Sequence, residues 1–149
     1  MKPLFGFSIL LLFVQFLPAQ TANSIDNLLK TGEVSCGQAL IFIIEAAQQN
    51  AGPAVKADFS EKLMEELGKD SRFRQNNTSP ITLGGLSLLV MKAFDLRGGI
   101  FYSLFPNDRY AYRELVFKKV IEGRADPTQR VSGETFLYVL GQISLQLGD

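Results

Sequence analysis

The chain has no histidine and a single cysteine. Without histidine there is no Ser-His-Asp or Cys-His nucleophile system, and the commonest zinc ligand sets are missing. A nucleophile here would lack its usual proton acceptor. One cysteine cannot close an internal disulfide, so Cys36 either pairs with another chain or stays a thiol. Its place just after a helix start, ahead of an apolar face, favours a small buried side chain. Positive charge is not in surplus either: Lys+Arg and Asp+Glu stand at 15 each. That balance argues against nucleic acid, which selects a basic surface.

Other site signatures are incomplete. Gly84-Gly85 and Gly98-Gly99 are not followed by the Lys-Ser/Thr of a phosphate-binding loop. Between Asp126 and Glu134, Pro127, Gln129 and Val131 stand where a calcium loop needs oxygen ligands. A carboxylate pair such as Glu114 and Glu134 is the one enzyme reading left, that of a glycosidase. Carboxylates on helices are ordinarily solvated. The chain therefore reads as non-catalytic, with no metal and no cofactor.

Only one long hydrophobic run occurs, and it is at the start. Lys2 precedes Leu4 to Leu17, which is apolar apart from Gly6, Ser8 and Gln15, and Ala19 and Ala22 follow. This is the pattern of a secretory signal peptide over residues 1–22, cleaved after Ala19 or Ala22. The run is shorter than the ~20 residues of a membrane-spanning helix. Loss of Lys2 with the leader leaves 14 basic against 15 acidic side chains. Residues 23–149 are enough for one domain with a modest core. The expected location is the periplasm or cell envelope.

What is present is a repeat. Val34-Ser35-Cys36-Gly37-Gln38, Ile81-Thr82-Leu83-Gly84-Gly85 and Val131-Ser132-Gly133-Glu134-Thr135 align without a gap, with starts 47 and 50 residues apart. Each has a β-branched residue, then a Ser or Thr able to cap a helix: Ser35, Thr82 and Ser132. Ser35 with Gln38 fits a capping box. Leu40, Ile43, Ile44 and Ala47 form an apolar helix stripe, as do Phe136, Val139, Leu140, Ile143 and Leu147. Phe136, Leu140, Leu88 and Ile43 are expected to share one interior. Further helices are expected over Asp58 to Leu67, Thr82 to Leu96 and Tyr110 to Ile121. Thr21 to Ser24 reads as a polar lead-in and Ile100 to Phe105 as a buried extended arm. The fold class is all-α, a small helical bundle.

The helix, loop and capped helix over Ala111 to Gly141 resembles an S-layer homology motif, through Ala111, Leu115, Val120-Ile121, Gly123, Asp126, Val131-Ser132 and Phe136. Leu63, Leu67, Gly68, Ile81-Thr82 and Leu86 look like a more divergent copy. The resemblance implies about two and a half helix-loop-helix units, near residues 25–50, 57–97 and 109–147. It also implies a role at the cell wall. In that family an arginine follows the capping Thr and grips an acidic ketal of a wall polysaccharide. Cys36, Leu83 and Gly133 occupy those positions here, and only Glu134 keeps polar character.

Charge is segregated. Asp58 to Asp70 carries a net −3, and Arg109 to Arg130 a net +3. Solvated helix faces account for this; so does a basic groove near Arg109, Tyr110, Arg113, Arg124 and Arg130, with Tyr102, Tyr110 and Tyr112 as stacking faces. Arginine forks there would hold carboxylates. Two functions follow: a non-catalytic exported envelope module binding an anionic wall polymer or an envelope protein, or a small periplasmic chaperone or assembly factor.

Overall fold

The computed structural model describes residues 17–50, 56–74, 76–123 and 125–148, with side chains left out at residues 17–21, 50 and 56–60. The described residues form an all-α bundle of seven helices with no strand: α1 (Leu17–Leu29), α2 (Cys36–Asn50), α3 (Lys56–Gly68), α4 (Leu83–Ala93), α5 (Ile100–Leu104), α6 (Asp108–Phe117) and α7 (Gly133–Gly148). No helix among them is long and apolar enough to cross a membrane. The expected leader falls outside the described residues as far as residue 16 and enters α1 beyond it. Thr21 to Ser24, expected as a polar lead-in, is helical.

Three aligned positions of the sequence meet in a closed ring. Val34 N–H donates to the Val131 carbonyl at 2.8 Å, Val131 N–H to Ile81 at 3.1 Å, and Ile81 N–H to Val34 at 2.8 Å. All three side chains are buried. Helix packing repeats the cycle: α3 lies on α2, α6 on α4, and α1 on α7.

Each loop entering this ring also serves the helix beside it. A helix start leaves its first N–H groups without internal partners. At α2, Cys36 and Gly37 donate to the carbonyls of Ser79 and Asn77 at 2.8 and 2.9 Å. At α4, Leu83 and Gly84 donate to Gln129 and Pro127 at 2.8 and 2.7 Å, and at α7 Gly133 donates to Thr31 at 3.0 Å. A further first-turn N–H goes to the cap. Gln38 donates to Ser35 Oγ at 3.2 Å, Gly85 to Thr82 Oγ1 at 3.1 Å, and Thr135 to Ser132 Oγ at 3.2 Å. Gln38 Oε1 accepts from Ser35 N–H at 3.2 Å, closing a capping box.

At the centre is α4, buried from Leu83 to Met91. A helix that is apolar all round belongs in the middle of a core, and α4 packs on α2, α3 and α6. Its one buried hydroxyl, Ser87 Oγ, donates to the Leu83 carbonyl at 2.7 Å. Leu88, Ile43 and Phe136 are buried in the same core, and Phe136 meets Phe42 edge-on at 6.1 Å. Leu140 packs half-buried against that core, and Leu147, expected on the stripe of α7, is exposed. The last turn of α7 runs past the interior.

The elements α4, α5 and α6 differ from the sequence reading. The helices α4 and α6 stop at Ala93 and Phe117, short of Leu96 and Ile121, because each ends in a Schellman turn. Leu96 N–H bonds back to Met91 O and Val120 N–H to Leu115 O, both at 2.9 Å, around Asp95 (φ 47°) and Lys119 (φ 59°). Ile100 to Phe105 is not a buried extended arm but the short helix α5, none of whose residues is buried. Its backbone is satisfied locally, Ser103 N–H to Gly99 O and Phe105 N–H to Phe101 O. An extended arm needs a neighbouring strand, and the described residues offer only the isolated bridges Ser35 to Pro80 and Thr82 to Arg130.

Candidate functional site

An open cleft of about 700 Å³ lies where α6 crosses the start of α4, lined by Arg72, Thr82, Asp108, Arg109, Tyr112, Arg113, Pro127 and Thr128. Its floor is the start of α4, where the chain approaches closely. A Cβ on Gly84 would lie 3.1 Å from both the Asp108 Cβ and the Pro127 oxygen. The close approach that Gly84-Gly85 signals is therefore with α6 and the loop before α7. Because loop carbonyls and the Thr82 hydroxyl already take the first N–H groups of α4, the helix start offers no free donors to an anion. Binding power in the cleft has to come from side chains.

One wall is an ion-pair network that the sequence reading missed. Arg72 binds Asp70 through Nε at 3.0 Å, reaches Asp108 through Nη1 and Nη2 at 2.5 and 3.1 Å, and lies 5.3 Å over the Phe73 ring. These contacts hold the Asp70 carboxyl below its usual range and raise the Arg72 guanidinium still higher. Arg72 thus clamps the loop after α3 onto α6. The sequence places Arg72 in a polar, turn-rich loop, and its partner Asp108 is 36 positions away. No local pattern announces that pairing.

The residues expected to form one basic groove are divided. Arg109 and Arg113, one turn apart on α6, share the cleft and have no carboxylate partner among the described residues. Tyr110 faces elsewhere: it stacks on Phe101 at 5.8 Å and lies in a second recess with Arg113, Glu114 and Phe117. Arg130 is committed to Glu33, with Nη1 at 2.9 and 3.0 Å from its two oxygens. Glu134 is exposed in the first turn of α7. Arg124 lies outside the described residues. Of the other tyrosines, Tyr112 lines the cleft and donates its hydroxyl to the Ala125 carbonyl, while burial pushes Tyr102 up to about 12 on another face.

The positions after the three caps point inward. Cys36, Leu83 and Gly133 are all buried, and burial raises the Cys36 thiol pKa despite the nearby Arg72. An arginine at any of them would have to bury its charge. A third cleft of about 190 Å³ lies between Leu83, Ile121, Val131, Val139 and a polar rim of Gln129, Arg130, Thr135 and Tyr138. Among the described residues no group of His, Cys, Asp and Glu side chains is placed to hold a metal ion. No protein-family model matches the chain, and neither the curated proteins nor the solved structures return a significant match.

Proposed function

We propose that this chain is a non-catalytic, exported module of the cell envelope, built on an S-layer-homology-like threefold scaffold, that binds an anionic wall polymer or an acidic envelope protein. The observation that carries this reading is the ring joining Val34, Ile81 and Val131, with the three capped helices arranged around it. Export rests on the leader-like pattern of residues 1–22.

The ligand's carboxylates dock on Arg109 and Arg113. Two guanidinium groups one helical turn apart present paired donors over a cleft whose rim adds the hydroxyls of Thr82 and Thr128. The positions after the caps play no part, since all three are buried.

Capture on purified peptidoglycan with its attached polymers tests this. The parent protein should be retained and released by salt, because exposed charges are screened beyond about 8 Å at physiological ionic strength. Arg109→Glu with Arg113→Glu should abolish retention at an unchanged unfolding midpoint, while Lys62→Glu on the acidic α3 should leave it intact. Equal retention of the double variant would remove the cleft as the binding site.

A further inference from the structure

Among the described residues an aromatic surface stands uncovered on α5 and the end of α6. Ile100, Phe101, Leu104 and Phe105 are 76, 64, 66 and 59% exposed, and Phe117 on α6 is 82% exposed. Among the described helices the backbone of α5 lies close to α6 alone, and Tyr102 is the α5 side chain that packs toward the core. Tyr110 joins the group, 5.8 Å from Phe101 and 6.5 Å from Phe105, and shares a recess with Phe101 and Phe117. Large apolar side chains left in water forgo the favourable transfer that burial would give them.

Cations stand beside these residues in the sequence, and Arg113 lines their recess. Arg109 and Arg113 flank Tyr110, Lys118 and Lys119 follow Phe117, and Arg97 precedes Gly98-Gly99 ahead of α5. None of these five is in an ion pair among the described residues. The carboxylates beside them in sequence are Asp95, Glu114 and Asp108, and Arg72 already takes Asp108.

We propose that α5 and the adjoining face of α6 dock on an anionic phospholipid bilayer. The aromatic side chains enter the boundary between headgroups and acyl chains, and the cations meet lipid phosphates. The side chains stand at high exposure along α5 and the end of α6, with one recess between Phe101, Tyr110 and Phe117 that Arg113 also lines. A bilayer accepts such a surface without shape complementarity; a protein partner would have to supply a matching hollow. This inference does not rest on the wall-binding reading: the two share Arg113, but the aromatic side chains tested here lie outside the wall-binding cleft.

The test uses the full chain carrying an environment-sensitive dye on Leu104→Cys, exposed on the helix face of Phe101 and Phe105. The native Cys36 is buried, so the new thiol is the one labelled. Vesicles of phosphatidylglycerol and phosphatidylcholine should shift the dye emission to the blue, and phosphatidylcholine alone should not. The same dye on Gln49→Cys of α2, a helix that touches neither α5 nor α6, should stay unchanged. Phe101→Ser with Phe117→Ser should abolish the shift at an unchanged melting midpoint. Lys118→Gln and Lys119→Gln should each weaken partitioning about fivefold. A Leu104 dye that stays in water while the chain sediments with vesicles would overturn the proposal, since another segment would then be the anchor. So would a parent that ignores anionic vesicles but self-associates through this face.

Discussion

A Cβ placed on Gly133 would lie 1.6 Å from the carbonyl oxygen of Leu28. The start of α7 therefore sits against the end of α1, backbone to backbone, with Gly133 N–H held by Thr31 O at 3.0 Å. Nothing flexible can yield at that contact. Gly133→Ala should cost about 3 kcal/mol or more, at the upper end of overpacking effects. Gly141, in the same helix with nothing within 4 Å of its missing Cβ, is the control. Gly141→Ala should stabilise by about 0.5–1 kcal/mol through helix propensity. Urea midpoints that move alike for both variants would show that α1 and α7 are not joined in this way.

The three caps should behave as a set. Ser35→Ala, Thr82→Ala and Ser132→Ala each remove the acceptor for one first-turn N–H, and each should cost about 1 kcal/mol. The cost should be largest at Thr82, where the N–H left behind is the most buried. Glycine in place of alanine should recover part of the loss, because glycine is itself an acceptable cap. Three alanine variants with parental midpoints would mean that loop carbonyls alone sustain the helix starts.

How far these features are legible in the sequence depends on whether they are local. Ser35 with Gln38 is a four-residue signal, and the spacing of Leu40, Ile43 and Ala47 is a helix face by arithmetic. Both need only neighbours along the chain. The ring of Val34, Ile81 and Val131 lies at the edge of legibility: the repeat marks the three positions as equivalent but is silent on their meeting. The Arg72 to Asp108 pair is beyond it, because neither residue stands in a pattern. Composition misleads at α5. Ile100 to Phe105 is apolar enough for a core, yet the interior is already filled by α4, and the segment is left outside.

The end of α6 tests a different kind of local rule. Lys119 adopts φ 59° to close the Schellman turn, a conformation in which a side chain crowds its own carbonyl. Glycine is the ordinary residue there. Lys119→Gly should stabilise the protein by about 1 kcal/mol despite the greater freedom of the unfolded chain. Lys119→Val, with a branched Cβ, should destabilise it. If Gly and Val variants melt at the same temperature, the left-handed turn at the end of α6 is not formed.

The Asp70 to Arg72 pair gives stability a defined response to acid. Hydrogen bonding from Arg72 holds the Asp70 carboxyl below its ordinary value of 3.8 in the folded chain. As pH falls, the unfolded chain therefore takes up the proton first. The stabilisation is complete above the unfolded value and is lost as pH drops through the lower folded one. With side chains 33 and 45% exposed, the two groups remain partly screened by solvent, which reduces the effect. Asp70→Asn should thus be less stable than the parent near neutrality and converge with it under acid, once the parent carboxyl is itself neutral. Urea unfolding at intervals from about pH 7 to about pH 2 resolves the two curves. Parallel curves throughout would mean that Arg72 draws its hold on the cleft from Asp108 alone.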